Sequence, residues 1–255
     1  MAPLMSVTPA TCSLVAPVAG GELLDLWLLR LPPAGGKPPA LDLSELDACE
    51  RARGAAFRRP YDQLRYLSAH IALRRVLGGY LGVRPAEVTY TQEPCPVCGR
   101  PHGKPAVATA DDPPPHFSLS HSGAMVAVSV ATAPVGADVQ ATPRPGTIEA
   151  TLPFLHPRER RELAAMPQEG RRHAFGRLWT RKEAFLKGLG TGLSHGAALE
   201  HYLGAEVTGR PPGWTVLDMP CGPGHSAAIA VRGRLAAPVT VRRLGHGLVC
   251  DGHQT

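Results

Sequence analysis

Residues 171–189 read as one long amphipathic helix, and that segment constrains the rest of the chain more than any other. Phe175, Leu178, Phe185 and Leu189 recur at the spacing that lines up a single apolar stripe. Gly190 then provides a stop, because glycine reaches left-handed backbone without a steric cost. A stripe of this kind has to be covered by another layer of structure. The neighbouring face carries Glu183 and Lys187, four residues apart, where they can meet directly. On an exposed helix such a pair is an ordinary contact worth about 0.3–0.5 kcal/mol. A second acid brought beside it would change its meaning, since magnesium sites typically combine one or two carboxylates with substrate phosphates and water. Asp138, at the end of an apolar run over 135–139, is the best-placed acid, because most others fall in loops or on basic helix faces. Asp138 and Glu183 are both expected at a cleft and not in the core.

The remaining pattern supplies the covering layers. Apolar runs over 23–31, 88–91, 116–120, 124–131, 135–139, 214–217, 226–231 and 239–242 read as strands. Ser122-Gly123 joins two of them as a hairpin. Ser44 is expected to cap a helix running to about Phe57, with Asp47 as a weak partner three residues on. Pro60 opens a second helix, with Tyr61, Leu64, Leu67, Ile71, Val76 and Tyr80 near helical spacing. Pro157 opens another over 157–165, which Pro167 ends. Residues 92–116 hold nine prolines or glycines and read as an extended loop. Helices mixed with mainly hairpin-linked strands indicate an α+β fold.

At 255 residues the chain can bury a real core, and 44% apolar residues is the content of a folded globular protein. No stretch approaches the roughly 18 uninterrupted apolar residues of a membrane span. Residues 1–21 lack a basic start and are broken by Pro3, Pro9 and Pro17, so no signal peptide is expected and the cytoplasm is the expected location. Six scattered cysteines (12, 49, 95, 98, 221 and 250) are too few for a disulfide framework. Net charge is +6, and seven arginines between 51 and 75 face one acid, Asp62. That local excess implies an anionic partner, whether a phosphorylated ligand, an acidic protein or nucleic acid, or else a solvated helix face.

Three smaller motifs add chemistry. Ser120-His121-Ser122 falls between two strands, where hydroxyls, amides and an imidazole could converge on a phosphate, although a turn histidine without a ligand reads the same way. His102-Gly103-Lys104-Pro105 sets a lysine between a flexible and a rigid residue. Cys95-Pro96-Val97-Cys98 with His102 offers at most three zinc ligands, and no second pair completes a knuckle. Neither the P-loop nor the dinucleotide glycine fingerprint occurs.

In combination, and in this order, these segments resemble the 4′-phosphopantetheinyl transferases of the Sfp type. The resemblance runs from about Ser44 to Leu193. It rests on Phe57 with Asp62 and Arg65, Gly103-Lys104-Pro105, the segment from Phe117 through Ser122, Gly136-Ala137-Asp138-Val139, and Trp179-x-x-Lys182-Glu183-Ala184-Phe185-x-Lys187 with Gly190 and Gly192. It implies two similar α+β halves, here 1–134 and 135–255, with coenzyme A and magnesium in the cleft between them. It also implies transfer of phosphopantetheine to a serine of an acyl, peptidyl or aryl carrier protein, leaving 3′,5′-ADP. On that reading Asp138, Gln140 and Glu183 are the metal set, and Glu183, Lys187 and Asp138 the catalytic one. Arg53, Arg58, Lys104, Pro105, Ser120, His121 and Lys187 would hold coenzyme A. The chain departs from the family pattern at Gln140, where an acid is common, and at Ala56, where an arginine precedes the aromatic. Either water or the Gln140 amide then completes the metal shell. A monomer without nucleic-acid or membrane partners is expected. Two other readings remain: a basic nucleic-acid-binding module, and a homologue that binds coenzyme A without turnover.

Overall fold

The computed structural model describes residues 6–9, 23–35, 39–109, 113–192, 200–205, 208–235, 238–245 and 249. Leu193, Cys12, Cys250 and most of residues 1–21 lie outside them. In chain order the elements are β1 (Ser6–Pro9), β2 (Leu24–Arg30), α1 (Ala48–Ala55), α2 (Pro60–Leu81), β3 (Tyr90–Gln92), β4 (Pro105–Val107), β5 (His116–Ser122), β6 (Met125–Ala131), β7 (Val135–Ala141), α3 (Pro145–Thr151), α4 (Pro157–Ala165), α5 (Gln168–Leu189), β8 (Trp214–Met219), β9 (His225–Arg232) and β10 (Thr240–Leu244). The fold is α+β.

One sheet has the order β1-β10-β2-β6-β5 and another β7-β9-β8, with β3 and β4 forming a separate hairpin. Strand β10 lies parallel between β1 and β2, whereas β2, β6 and β5 are antiparallel. The chain therefore returns to the first sheet after completing the second, across the boundary expected at 134/135.

All seven residues of β6, Met-Val-Ala-Val-Ser-Val-Ala, are buried, because both faces of its sheet are covered. Val126, Val128 and Val130 pack with Ile71, Leu73 and Leu77 of α2. Met125, Ala127 and Ala131 point the other way, into a cluster with Val135, Ala137, Val139 and Ile229 of the second sheet. The far side of that second sheet meets α5, where Ala228, Ala230 and Val216 pack on Phe175, Leu178, Ala184 and Phe185. The layers thus run helix, sheet, sheet, helix, and the apolar stripe read from the sequence is the one that α5 buries.

Two local devices bring the site together. A Cβ on Gly136 would stand 1.9 Å from the Ala184 carbonyl oxygen and 2.4 Å from the Gly188 nitrogen, so only glycine lets β7 lie this close to α5. The alternate serines of β5 then serve the free edge of β7. Ser118, Ser120 and Ser122 Oγ accept from the amides of Ala137 (3.0 Å), Val139 (3.3 Å) and Ala141 (3.1 Å). Side-chain hydroxyls here satisfy an edge that has no partner strand on that side among the described residues.

Local signals were partly misread. Asp47, not Ser44, caps α1, in a reciprocal capping box with Glu50, which is a stronger pairing than Ser44 with Asp47. Asp42 caps a separate 3-10 turn over Leu43–Glu45. Helix α5 begins at Gln168, three residues early, and Gly190 ends it at φ 78° as expected. The expected loop over 92–116 contains β4, and α3 was not anticipated, because both are short and proline-led.

Candidate active site

Helix α5 presents Lys187 and Glu183 to the middle of β7. Lys187 Nζ donates to Asp138 Oδ1 at 2.7 Å and to the Ala137 carbonyl at 3.3 Å. Asp138 is 1% exposed, so it is a buried carboxylate and not the open cleft residue anticipated from its strand-end position. Further donors surround it: Ser120 Oγ at 2.6 Å on Oδ1 and Gln140 Nε2 at 3.1 Å on Oδ2. Glu183 is half-buried beside it. Burial first, and then the Asp138 charge, push the Glu183 carboxyl up to about 7, with Lys187 opposing. Two acids whose charges act on each other in this way favour a cation or a shared proton between them.

Lys187 opens onto a cavity of about 1000 Å³. Glu50 and Arg53 of α1, Tyr66 and His70 of α2, the β3 residues, Gly103-Lys104-Pro105, Phe117 to Leu119, and Thr191 with Gly192 line it. The Lys104 Nζ is buried without a hydrogen-bond partner among the described residues, and desolvation pulls its pKa down. A buried ammonium left unpaired in a cavity wall is suited to an anion arriving there.

The other expected site residues fall into two groups. Arg53, Lys104, Pro105 and Lys187 line the cavity. Ser120 sits behind Asp138 as its support, and His121 lies edge-on to Tyr66 with centroids 6.5 Å apart. Burial, with Arg65, His70 and Lys187 nearby, pushes His121 down to about 4, so it is neutral at pH 7 and offers a hydrogen bond but no charge. Arg58 is exposed and not among the cavity-lining residues.

The arginine-rich segment is less free than its composition indicated. Arg74 is 2% exposed, with Glu50 at 2.6 Å and Asp47 at 2.9 Å; Arg75 meets Glu45 at 2.7 Å and Arg65 meets Asp62 at 2.7 Å. The acids of residues 42–50 neutralise it from just outside the window in which the excess was counted. Arg51, Arg53, Arg58 and Arg59 remain exposed. Sequence reasoning also missed Glu50, Tyr66 and His70. His70 Nδ1 lies 2.9 Å from Glu50 Oε1, and Tyr66 stacks 4.2 Å from the His70 ring. The i, i+4 spacing of Tyr66 and His70 was the available signal. Lys182, adjacent to Glu183, points the opposite way and pairs with Glu159 at 2.8 Å in the core.

The family model described as the 4′-phosphopantetheinyl transferase superfamily matches residues 134–213, the stretch containing β7 and α5. The 4′-phosphopantetheinyl transferase HetI of Nostoc sp. is 31% identical over 217 residues, 82% of this chain and 88% of that protein. A Synechocystis sp. protein of provisional 4′-phosphopantetheinyl transferase assignment is 34% identical over 153 residues, 59% of each chain. The 4′-phosphopantetheinyl transferase Sfp of Bacillus subtilis is 30% identical over 146 residues, 57% of this chain and 60% of that one. The match thus spans less than two thirds of the Synechocystis and Bacillus proteins but most of HetI. On the extent of that alignment, and with the family model lying on the strand and helix that carry Asp138, Glu183 and Lys187, the chain belongs to the 4′-phosphopantetheinyl transferase superfamily.

Proposed function

We propose that this protein transfers the 4′-phosphopantetheine group of coenzyme A to a serine of an acyl, peptidyl or aryl carrier protein, with magnesium held by Asp138 and Glu183. The observation that carries the reading is the buried Asp138 held by Lys187, with the half-buried Glu183 next to both, beside a cavity whose wall holds a Lys104 Nζ without a hydrogen-bond partner among the described residues. The donor set fits a hard divalent cation, since it consists of carboxylate oxygens, with Glu183 raised first by burial and then by the Asp138 charge. Gln140 turns its amide nitrogen to Asp138, which favours water over Gln140 in the remaining position.

In the reaction the carrier serine oxygen attacks the β-phosphorus of coenzyme A. The bond to the bridging oxygen breaks, and its electron pair leaves with 3′,5′-ADP. Glu183, which has to be ionised to hold the metal, accepts the serine proton directly or through water. Lys187 faces the developing charge from the α5 side, and Lys104 and Arg53 hold phosphates in the cavity. Asp138 keeps Lys187 in place through the 2.7 Å contact. Magnesium, when bound, supplies charge neutralisation on the pyrophosphate. The test is the intact mass of an apo-carrier protein incubated with coenzyme A and magnesium. A gain of one phosphopantetheine group is expected, and no gain on acyl, peptidyl or aryl carriers would reject the activity.

A further inference from the structure

The connection between β3 and β4 does something that the transfer reaction does not call for. The two strands are short, with Tyr90 opposite Val107, Thr91 opposite Ala106 and Gln92 opposite Pro105. They are joined by residues 93–104, long for a hairpin connection without regular structure of its own, so something has to tie that segment down. Its backbone is folded back on itself. Gly99 N–H donates to the Cys95 carbonyl and Cys95 N–H to the Arg100 carbonyl, both at 2.8 Å. His102 N–H also donates to the Arg100 carbonyl at 2.8 Å, and Gly103 N–H to the Glu93 carbonyl at 2.9 Å. The turn depends on Gly99 at φ 71°, a conformation that side-chain-bearing residues rarely adopt.

The result is that Cys95, Cys98 and His102 each aim a ligand atom at one point. These atoms all lie within 4.8 Å of one another, and Cys98 Sγ stands 2.9 Å from His102 Nε2. Zinc bonds to thiolate at about 2.3 Å and to imidazole at about 2.0–2.1 Å, so ligand atoms around it are a few ångströms apart, which small side-chain rotations reach from here. Two sulfurs and a nitrogen select a soft or borderline ion and reject magnesium, whose oxygen donors lie instead at Asp138 and Glu183. Cys95 is buried while Cys98 and His102 are exposed, so the ion can enter from solvent and one position stays open to water.

The geometry points to a zinc ion bound by Cys95, Cys98 and His102, with water as the fourth ligand, that fixes the 93–104 loop. This matters for the cavity because Lys104, two residues beyond His102, is the last residue of that loop and points its unpaired Nζ into the cavity wall. Lys104 is tied to the loop's first residue, its carbonyl accepting from Glu93 N–H at 3.0 Å. An ion at the knuckle would hold the lysine's backbone from the other side.

The experiment is metal analysis of the full chain purified under reducing conditions and reconstituted with zinc. About one zinc per chain is expected, and Cys98→Ser and His102→Ala should each lower retention at limiting zinc by about tenfold or more. Asp138→Asn should keep its zinc, which separates this site from the proposed magnesium site. Cobalt(II) added to the metal-free wild type provides a second measurement that needs no variant to fold. It should give a thiolate-to-metal charge-transfer band that saturates near one equivalent and is abolished by zinc. Amide exchange over residues 93–104 should slow on zinc binding. Absence of stoichiometric zinc, a cobalt spectrum without thiolate character, or unchanged zinc in both knuckle variants would overturn the site; unchanged exchange would overturn its role in the loop. None of these measurements depends on transferase activity.

Discussion

Lys187 Nζ reaches Asp138 Oδ1 at 2.7 Å across the contact between α5 and β7, although the two residues are 49 positions apart. The contact exists because Gly136 lets the strand touch the helix backbone, and because Ser120 and Gln140 hold the Asp138 carboxylate from its other sides. Asp138 is therefore part of a buried network, and truncating it disturbs more than a ligand.

For that reason Asp138→Asn is the informative variant and Asp138→Ala is not. Alanine leaves Lys187 and Ser120 without a shared partner and opens a gap where a buried side chain stood. Asparagine keeps the shape and removes the charge, so transfer is expected to fall about 100-fold or more in kcat/KM while the cooperative unfolding transition is retained. Steady-state kinetics with thermal unfolding on the same preparation checks this, and activity within a few-fold of wild type would remove Asp138 from the metal.

Glu183 predicts a pH dependence of definite sign. Its carboxyl is raised from 4.5 to about 7, so in metal-free protein the folded state holds a proton that the unfolded chain has already released between those values. Its contribution to stability is complete below the unfolded value and is lost as pH rises towards about 7. Magnesium needs the ionised form, so affinity should climb up to about pH 7 and flatten above it, with proton release on binding below that point. Calorimetry in two buffers of different ionisation enthalpy measures the release, and Glu183→Gln should abolish it.

Lys104 Nζ is buried without a hydrogen-bond partner among the described residues, so its charge is costly in the free protein and useful only with an anion present. Lys104→Met should leave unfolding temperature unchanged or higher. It should also raise KM for coenzyme A by about 10- to 150-fold, the equivalent of a lost charge-assisted hydrogen bond of about 1.5–3 kcal/mol. A KM unchanged within twofold would take Lys104 off the ligand.

Lys182 predicts a stability effect of the opposite kind. Its pair with Glu159 is fully buried, and Glu159 also accepts from the Leu203 amide at 2.7 Å. Lys182→Met leaves that carboxylate unpaired and should cost about 3–5 kcal/mol. Adding Glu159→Gln should recover part of the loss, measured by chemical denaturation. Purely additive costs would mean that the two side chains do not interact.

Salt tests the carrier encounter. Arg51, Arg53, Arg58 and Arg59 are the exposed remainder of the arginine-rich segment, and carrier proteins are expected to be acidic near the modified serine. With coenzyme A saturating, the rate at limiting carrier should fall as the Debye length shortens from about 30 Å at 0.01 M to about 8 Å at 0.15 M salt. Turnover at saturating carrier should change less, because steering acts on association. A flat dependence would indicate apolar docking.

The amino-acid order alone makes the parts governed by short-range rules legible. The stripe Phe175, Leu178, Phe185 and Leu189 and the stop at Gly190 define α5, because periodicity and left-handed backbone are local properties. The order of the motifs around Lys104, His121, Asp138 and Glu183 was enough to reveal the family. The environment of each group came from packing between distant segments. A window of composition that set only Asp62 against seven arginines left Arg74 and Arg75 in the excess, but Glu45, Asp47 and Glu50, outside the window, meet them once α1 and α2 pack. The spacing of Lys182 and Glu183 could not say which faces the core and which the site, since that depends on where β7 lies. Strand β10 could not be assigned to the first sheet from its own residues, because its partner β2 is about 215 positions earlier in the chain. Burial and charge pairing sum over contacts between distant segments, so Asp138 became a buried network member and His121 a neutral imidazole only when the two sheets and α5 closed around them.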